Sequence, residues 1–150
     1  CLGLTETFKE FTKGYKPEEH LVLLFESLCI SSNFEPAKIK EISNKTLEKF
    51  KEKTLKEISN LLKEKSSSNL YSSRILNLGI YLIITNASDF NQLKDSEKNK
   101  IISENIKNLN LSVNKAEKDI GIYKSSITKM EQAKELLQEA KNQNKKKESK

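Results

Sequence analysis

The chain has 150 residues, of which 32% are charged and 35% hydrophobic, and carries a formal net charge of +6. That length sets one domain as the expectation, and the apolar fraction supplies one modest core. A single histidine excludes most His-based triads and His metal clusters.

Four glycines and two prolines are few breakers for this length. Together with abundant Lys, Glu and Leu they favour an all-α fold. Lys outnumbers Arg by 26 to 1, and Asn, Ile and Ser are also frequent, a bias that an AT-rich genome produces without selection on the protein. The positive charge attracts polyanions in general. A lysine surface lacks the bidentate fork used for base readout, and no base-reading motif is present, so nucleic acid is not an expected partner.

The chain opens Cys1-Leu2-Gly3 without Met. This start fits a mature bacterial lipoprotein, whose first Cys carries the lipid; a segment boundary that falls at a Cys is the alternative. Residues 1–15 are expected to form a tether between membrane and domain, with Phe8 and Phe11 able to dock as a short helix. Cys29, between Leu28 and Ile30, reads as a buried thiol.

Pro17 suits the first position of a helix, followed by Glu18 and Glu19 at its positive end. Leu21, Leu24, Phe25 and Leu28 are at core spacing, and the pattern fades at Ser31-Ser32-Asn33. His20 falls on the solvated side. A second helix is expected from Pro36 to about Lys65, with Ile39, Ile42, Leu47, Phe50, Leu55, Ile58, Leu61 and Leu62 repeating at three and four. Ser66-Ser67-Ser68-Asn69 has loop composition.

The run from Ile75 to Ile84 is the most hydrophobic of the chain. Its β-branched residues admit a strand, but the pattern extends through Leu70, Tyr71, Ala87, Phe90 and Leu93, which predicts a central helix over about 70–91, buried on all sides. At ten residues the run falls short of the roughly 20 needed to cross a bilayer. Gly79 marks the close approach of another helix.

Asp95 or Ser96 caps the last helix. From Ile102 through Ile106, Leu109, Val113, Ala116, Ile120, Tyr123, Ile127 and Met130 the apolar positions step by four and three, and Leu137 resumes the seam after Lys134. A continuous helix from Ser96 to Asn142 would be about 70 Å long, more than the other helices cover. It therefore breaks near Asn108-Leu109-Asn110 or at Gly121, or its last turns project. The expected organisation is a small helical bundle of four to five helices over residues 16–143, with a long C-terminal helix and a disordered lysine-rich tail over 144–150.

No catalytic set is visible: there is no Gly-rich phosphate loop and no CxxC, so neither an enzyme nor a metal or cofactor site is expected. One surface pattern stands out. On a continuous second helix Lys38, Lys45, Lys49, Lys53, Lys56 and Lys63 would fall within an arc of about 80°, beside a stripe of Glu41, Glu48 and Glu52. This is either a cationic ridge for a polyanion such as a sulfated glycan or a solvated face laced with pairs such as Glu41/Lys45 and Glu52/Lys56. The Ile102–Leu137 seam implies packing within the chain, making a monomer the expectation, or self-association as the alternative.

Cys1, the Lys/Asn/Ile/Ser bias, the helical pattern and the lysine-rich C-terminus together resemble a Borrelia-type spirochaetal surface lipoprotein. A local likeness to the decorin-binding adhesins of that group lies in Glu48-Lys49-Phe50, in the helix ending near Lys65-Ser66-Ser67 and in the run into Lys145-Lys146-Lys147. The resemblance implies lipid attachment at Cys1 and an outer-membrane, surface-exposed protein. Its partner would be a host molecule, either a matrix glycosaminoglycan or proteoglycan or a complement regulator, in adhesion or immune evasion. The alternative is a structural or assembly lipoprotein that self-associates through the Ile102–Leu137 seam.

Overall fold

The computed structural model describes residues 1–64 and 70–148, with side chains described to residue 140. The described residues form seven α-helices and no strand: α1 (Leu2–Thr12), α2 (His20–Ser31), α3 (Pro36–Phe50), α4 (Leu55–Lys63), α5 (Arg74–Thr85), α6 (Asp95–Asn108) and α7 (Val113–Glu148), with a 3-10 turn at Phe90–Gln92. The all-α bundle with a long C-terminal helix stands. It has more helices than expected because one segment read as a tether is a docked helix and two long helices are broken.

The first 15 residues are part of the bundle. Leu2, Gly3 and Thr5 of α1 are buried against α5 and α3, and the Thr5 hydroxyl hydrogen-bonds the buried Ser43 hydroxyl of α3. Phe8 packs edge-on against Phe25 of α2. Leu2 belongs to the main core, and Leu4 and Phe8 to a smaller cluster with Phe25, Cys29 and Ile39. A membrane tether would leave these side chains in water.

The helix expected from Pro36 to Lys65 stops at Phe50. Glu52 adopts φ 58°, which an α-helix does not contain. Thr54 then starts a new helix with a capping box: its hydroxyl accepts from the Glu57 N–H, and the Glu57 carboxylate accepts from the Thr54 N–H at 2.9 Å. Asp89 reaches across from the 3-10 turn to accept from the Leu55 N–H at 2.9 Å. Lys65 and the polar stretch 66–69 lie outside the described residues.

The last helix breaks where the Asn108-Leu109-Asn110 composition placed it. Asn110 is left-handed, its N–H donates to the Lys107 carbonyl, and the Leu111 N–H donates to the Ile106 carbonyl. This is a Schellman closure, and Ile106 and Leu111 are both buried in the main core. Asn33 closes α2 in the same way, with the Phe34 N–H on the Cys29 carbonyl. The chain turns back at Asn110, so Ile102 and Ile106 of α6 pack against Ala116 and Ile120 of α7 in one core. Gly121 lies inside α7 without a break.

The central helix is α5, shorter than the expected 70–91. Asn77, Leu78, Gly79, Ile80, Ile83 and Ile84 are buried, and α1, α4, α6 and α7 all pack on it. Its one charged residue, Arg74, the only arginine of the chain, reaches Asp119 of α7. At 36 residues α7 is about 54 Å long. Among its described side chains Ile120 is the last buried one, and residues 131–140 are all exposed, including Leu136 and Leu137. The helical backbone continues through Glu148, into the stretch read as a disordered tail, whose last two residues lie outside the described residues.

Candidate interaction surfaces

The break at Glu52 takes apart the predicted lysine ridge. Lys38, Lys45 and Lys49 ride on α3, Lys53 is half-buried in the linker, and Lys56 and Lys63 are on α4. Six lysines within one arc require one continuous helix, which the capping box of Thr54 and Glu57 forbids. Lys45 pairs with Glu41 at 2.5 Å, one of the i,i+4 pairs of the solvated-face reading. Hydrogen bonding and charge from Lys45 hold Glu41 below the usual carboxylate range. Lys45 and Lys49 instead border a groove of about 440 Å³ whose walls come from α1, α3, α4 and α5, with Leu2, Phe50, Ile75 and Ile83 among its lining.

The groups capable of chemistry are dispersed. His20 is exposed at the start of α2. Cys1 is exposed and Cys29 fully buried. Burial pushes the Cys29 thiol up, against a smaller opposite pull from Lys40 and with a small push from Glu26. Asp119, 6% exposed, accepts from Arg74 Nε at 3.2 Å and from the buried Asn77 Nδ2 at 2.9 Å. Its carboxylate is occupied in joining α5 to α7. Among the described residues no three His, Cys, Asp or Glu side chains cluster to hold a metal ion.

The surface feature that sequence reasoning missed is α2. Leu24 and Leu28 were read as core. The structure buries only Phe25 and Cys29 of this helix and turns Val22, Leu23, Leu24, Leu28 and Ile30 outward, with Leu23 63% and Ile30 65% exposed. Phe34, just beyond the Schellman closure, is 50% exposed as well. From Leu21 to Phe34 there is one charged residue, Glu26, in a chain that is 32% charged. The signal was in the sequence: α2 is apolar on nearly every side, yet a helix at the edge of a bundle buries only one. Contiguous exposed apolar surface of this kind marks an interaction site.

A model of the family described as "Thylakoid formation protein" matches residues 1–150. The chain belongs to that family. It is similar to Protein Thf1 of Prochlorococcus marinus strain CCMP1986 / NIES-2087 / MED4, with 78% identity over the whole chain and 74% of that protein. Against Protein Thf1 of strain MIT 9312 identity is 67%, covering 98% of this chain and 73% of the relative. Protein Thf1 of Gloeothece citriformis strain PCC 7424 is 26% identical over 93% of this chain and 70% of its own length. The fold matches a solved structure of Psb29 at 1.55 Å with a TM-score of 0.78 at 23% identity, over 99% of this chain and 75% of that one.

Family membership overturns the spirochaetal resemblance and what it implied. A thylakoid formation protein is not a host-binding adhesin, an immune-evasion factor or a surface antigen, and matrix glycans and serum proteins fall away as partners. An outer-membrane surface location falls with them. The reading of Cys1 as a lipid attachment site loses the support of that resemblance. That resemblance was compositional. A Lys/Asn/Ile/Ser bias and a helical pattern carry no topology, and unrelated helical proteins share them. The assembly class, named as the alternative, agrees with the family. From Ile102 to Ile120 the seam is consumed inside the chain.

Proposed function

We propose that this chain is a non-enzymatic assembly factor in thylakoid formation, acting by binding another protein through α2. The family supplies the process. The observation that carries the binding role is the outward face of α2, an exposed helix whose apolar residues are not covered by its own chain. Leu24 and Leu28, four apart, and Leu23 and Ile30, seven apart, present ridges that fit the groove of a partner helix. The helix contains no Lys or Arg. Helices that lie on anionic membranes carry such residues on their polar face, so a protein partner fits this surface better than a lipid one. Dispersal of His20, Cys1, Cys29 and Asp119 also supports binding over catalysis, because acid–base and nucleophilic catalysis need groups within hydrogen-bond reach of each other.

The test is complementation in a cyanobacterial strain lacking its own relative, scored by thylakoid membrane content. Leu23→Glu with Ile30→Glu should fold normally by circular dichroism and fail to complement. His20→Ala and Cys1→Ala should both complement. Full function of the α2 double variant, or loss of function in His20→Ala at normal protein level, would sink the proposal.

A further inference from the structure

On the far side of α5 from the lysine-bordered groove, a pocket of about 440 Å³ opens between the 3-10 turn, α5, α6 and α7. Lys98 of α6 and Lys124 of α7 both line it. Each holds its ammonium over an aromatic ring: Lys98 Nζ is 5.6 Å from the Phe90 ring centre, and Lys124 Nζ is 5.3 Å from that of Tyr81. A ring face positions an ammonium without neutralising it. Lys124 has no carboxylate within ion-pair distance among the described residues. The carboxylate nearest Lys98 is Asp95 at 3.5 Å, whose side chain is 96% exposed, so the pair is water-screened and weak. Asn99 adds a side-chain amide to the lining, and Asp95, which also lines the pocket, leaves the two ammonium groups in excess over one carboxylate. Tyr81 forms part of the wall, its ring beneath the Lys124 ammonium.

We propose that this pocket binds a phosphate-type oxyanion held by Lys98 of α6 and Lys124 of α7. Two ammonium groups on different helices suit a dianion with several oxygens better than a single carboxylate. Two cations confined to one half-open pocket suit a head group rather than a polymer, which needs an extended basic stripe. A volume of about 440 Å³ leaves room for the organic part of a phosphate ester beside the anion. The same chemistry is offered by a soluble phosphate ester and by the head group of a phospholipid, and the experiment separates them.

The full chain, labelled with ¹⁵N, is titrated at low salt with inorganic phosphate and glycerol phosphate. Flotation with vesicles of phosphatidylcholine, with and without phosphatidylglycerol, follows. Binding with a Kd of about 1 mM is expected, a modest affinity for a small anion. Shifts should be confined to the amides of residues 95–102 and those flanking Lys124. Lys98→Gln and Lys124→Gln should each weaken binding by about 5-fold or more, and the double variant should abolish it, since each removes one charge-assisted contact. Lys45→Gln, on α3, should change nothing. Flotation only with phosphatidylglycerol, lost in the double variant, assigns a lipid head group. Phosphate binding without flotation assigns a soluble ester. Absence of both, shifts spread over lysines throughout the chain, or unchanged binding in the double variant would overturn the proposal.

Discussion

Gly3 of α1 lies against Gly79 of α5, backbone on backbone. A methyl on Gly3 would stand 2.0 Å from the Ile75 carbonyl oxygen and 2.9 Å from the Gly79 nitrogen, whereas one on Gly79 would meet its nearest atom, the Gly3 nitrogen, at 3.3 Å. The obstacles to Gly3 are main-chain atoms of a buried helix and cannot rotate away. Gly3→Ala is therefore expected to cost about 3 kcal/mol or more, at or beyond the upper end of overpacking, and Gly79→Ala about 1–2 kcal/mol. Gly121, with nothing within 4 Å of its added methyl, is the control. Gly121→Ala should stabilise by about 0.5–1 kcal/mol through helix propensity alone. Urea midpoints of the three variants check the order, and equal losses at Gly3 and Gly121 would contradict the close approach.

The join between α5 and α7 gives a second expectation. Asp119 is buried and accepts from Arg74 and Asn77, whereas the Arg74 side chain is 61% exposed. Asp119→Ala strands the fully buried Asn77 amide, whose Oδ1 already lacks a partner among the described residues. Its cost should be about 2–3 kcal/mol, as for an unsatisfied buried donor plus a lost charged acceptor. Arg74→Ala should cost only about 1 kcal/mol, because water screens and replaces the exposed guanidinium. A double-mutant cycle in urea checks this. An Arg74 loss as large as that of Asp119 would mean the ion pair, rather than the Asn77 hydrogen bond, holds the helices.

The start of α4 gives a third. Thr54→Ala removes the hydroxyl that accepts from the Glu57 N–H, and an N-cap loss of about 1 kcal/mol is expected. Hydrogen bonds from the Thr54 backbone and hydroxyl hold the Glu57 carboxylate below its usual range. The sign follows directly: a depressed carboxylate adds stability that is present above its unfolded value and is lost as pH falls through the folded one. The stability of the parent should therefore fall more steeply below about pH 4.5 than that of Glu57→Gln, since a free Glu titrates near 4.3. Parallel slopes in the two proteins, measured by thermal melts from pH 7 to pH 3, would remove the capping box from the account.

What the sequence made legible, and what it hid, divides along physical lines. The 3.6-residue periodicity and the lack of breakers made the helical class, the central position of α5 and the role of Gly79 readable before the structure. The Asn108-Leu109-Asn110 break was readable because Asn tolerates the left-handed turn that a Schellman closure needs. The break at Glu52 was hidden because Glu has no such preference and the apolar spacing runs straight across it. Yet Thr54-Leu55-Lys56-Glu57 has the residue spacing of a capping box and would have located the new start. The ridge of six lysines came from extending a helix over that start. The exposure of α2 was hidden for a different reason. Periodicity tells which residues are apolar, and only tertiary placement tells which of them find a neighbour.

The two thiols should differ sharply in reactivity. Cys29 is fully buried between Phe25 and Ile39, whereas Cys1 is exposed. Only the thiolate attacks a disulfide reagent, and burial opposes its formation at Cys29. At pH 8 the native protein should release one thiol equivalent at once, and Cys1→Ala should abolish that fast phase. Cys29 should react only as quickly as the α1–α2–α3 cluster opens, and both thiols should react together in urea. The same burial sets a pH trend. A folded thiol raised above its unfolded value contributes stability that is fully present below the unfolded value, about pH 8.5, and is lost as pH rises through the folded one. Alkaline melts should thus fall less steeply for Cys29→Ala than for the parent, on top of a packing loss of about 1 kcal/mol for the smaller side chain. Rapid reaction of both thiols in the native protein would show that α2 does not stay docked on α1 and α3. The exposed face assigned to it would then be a property of a loosened helix rather than of a built surface.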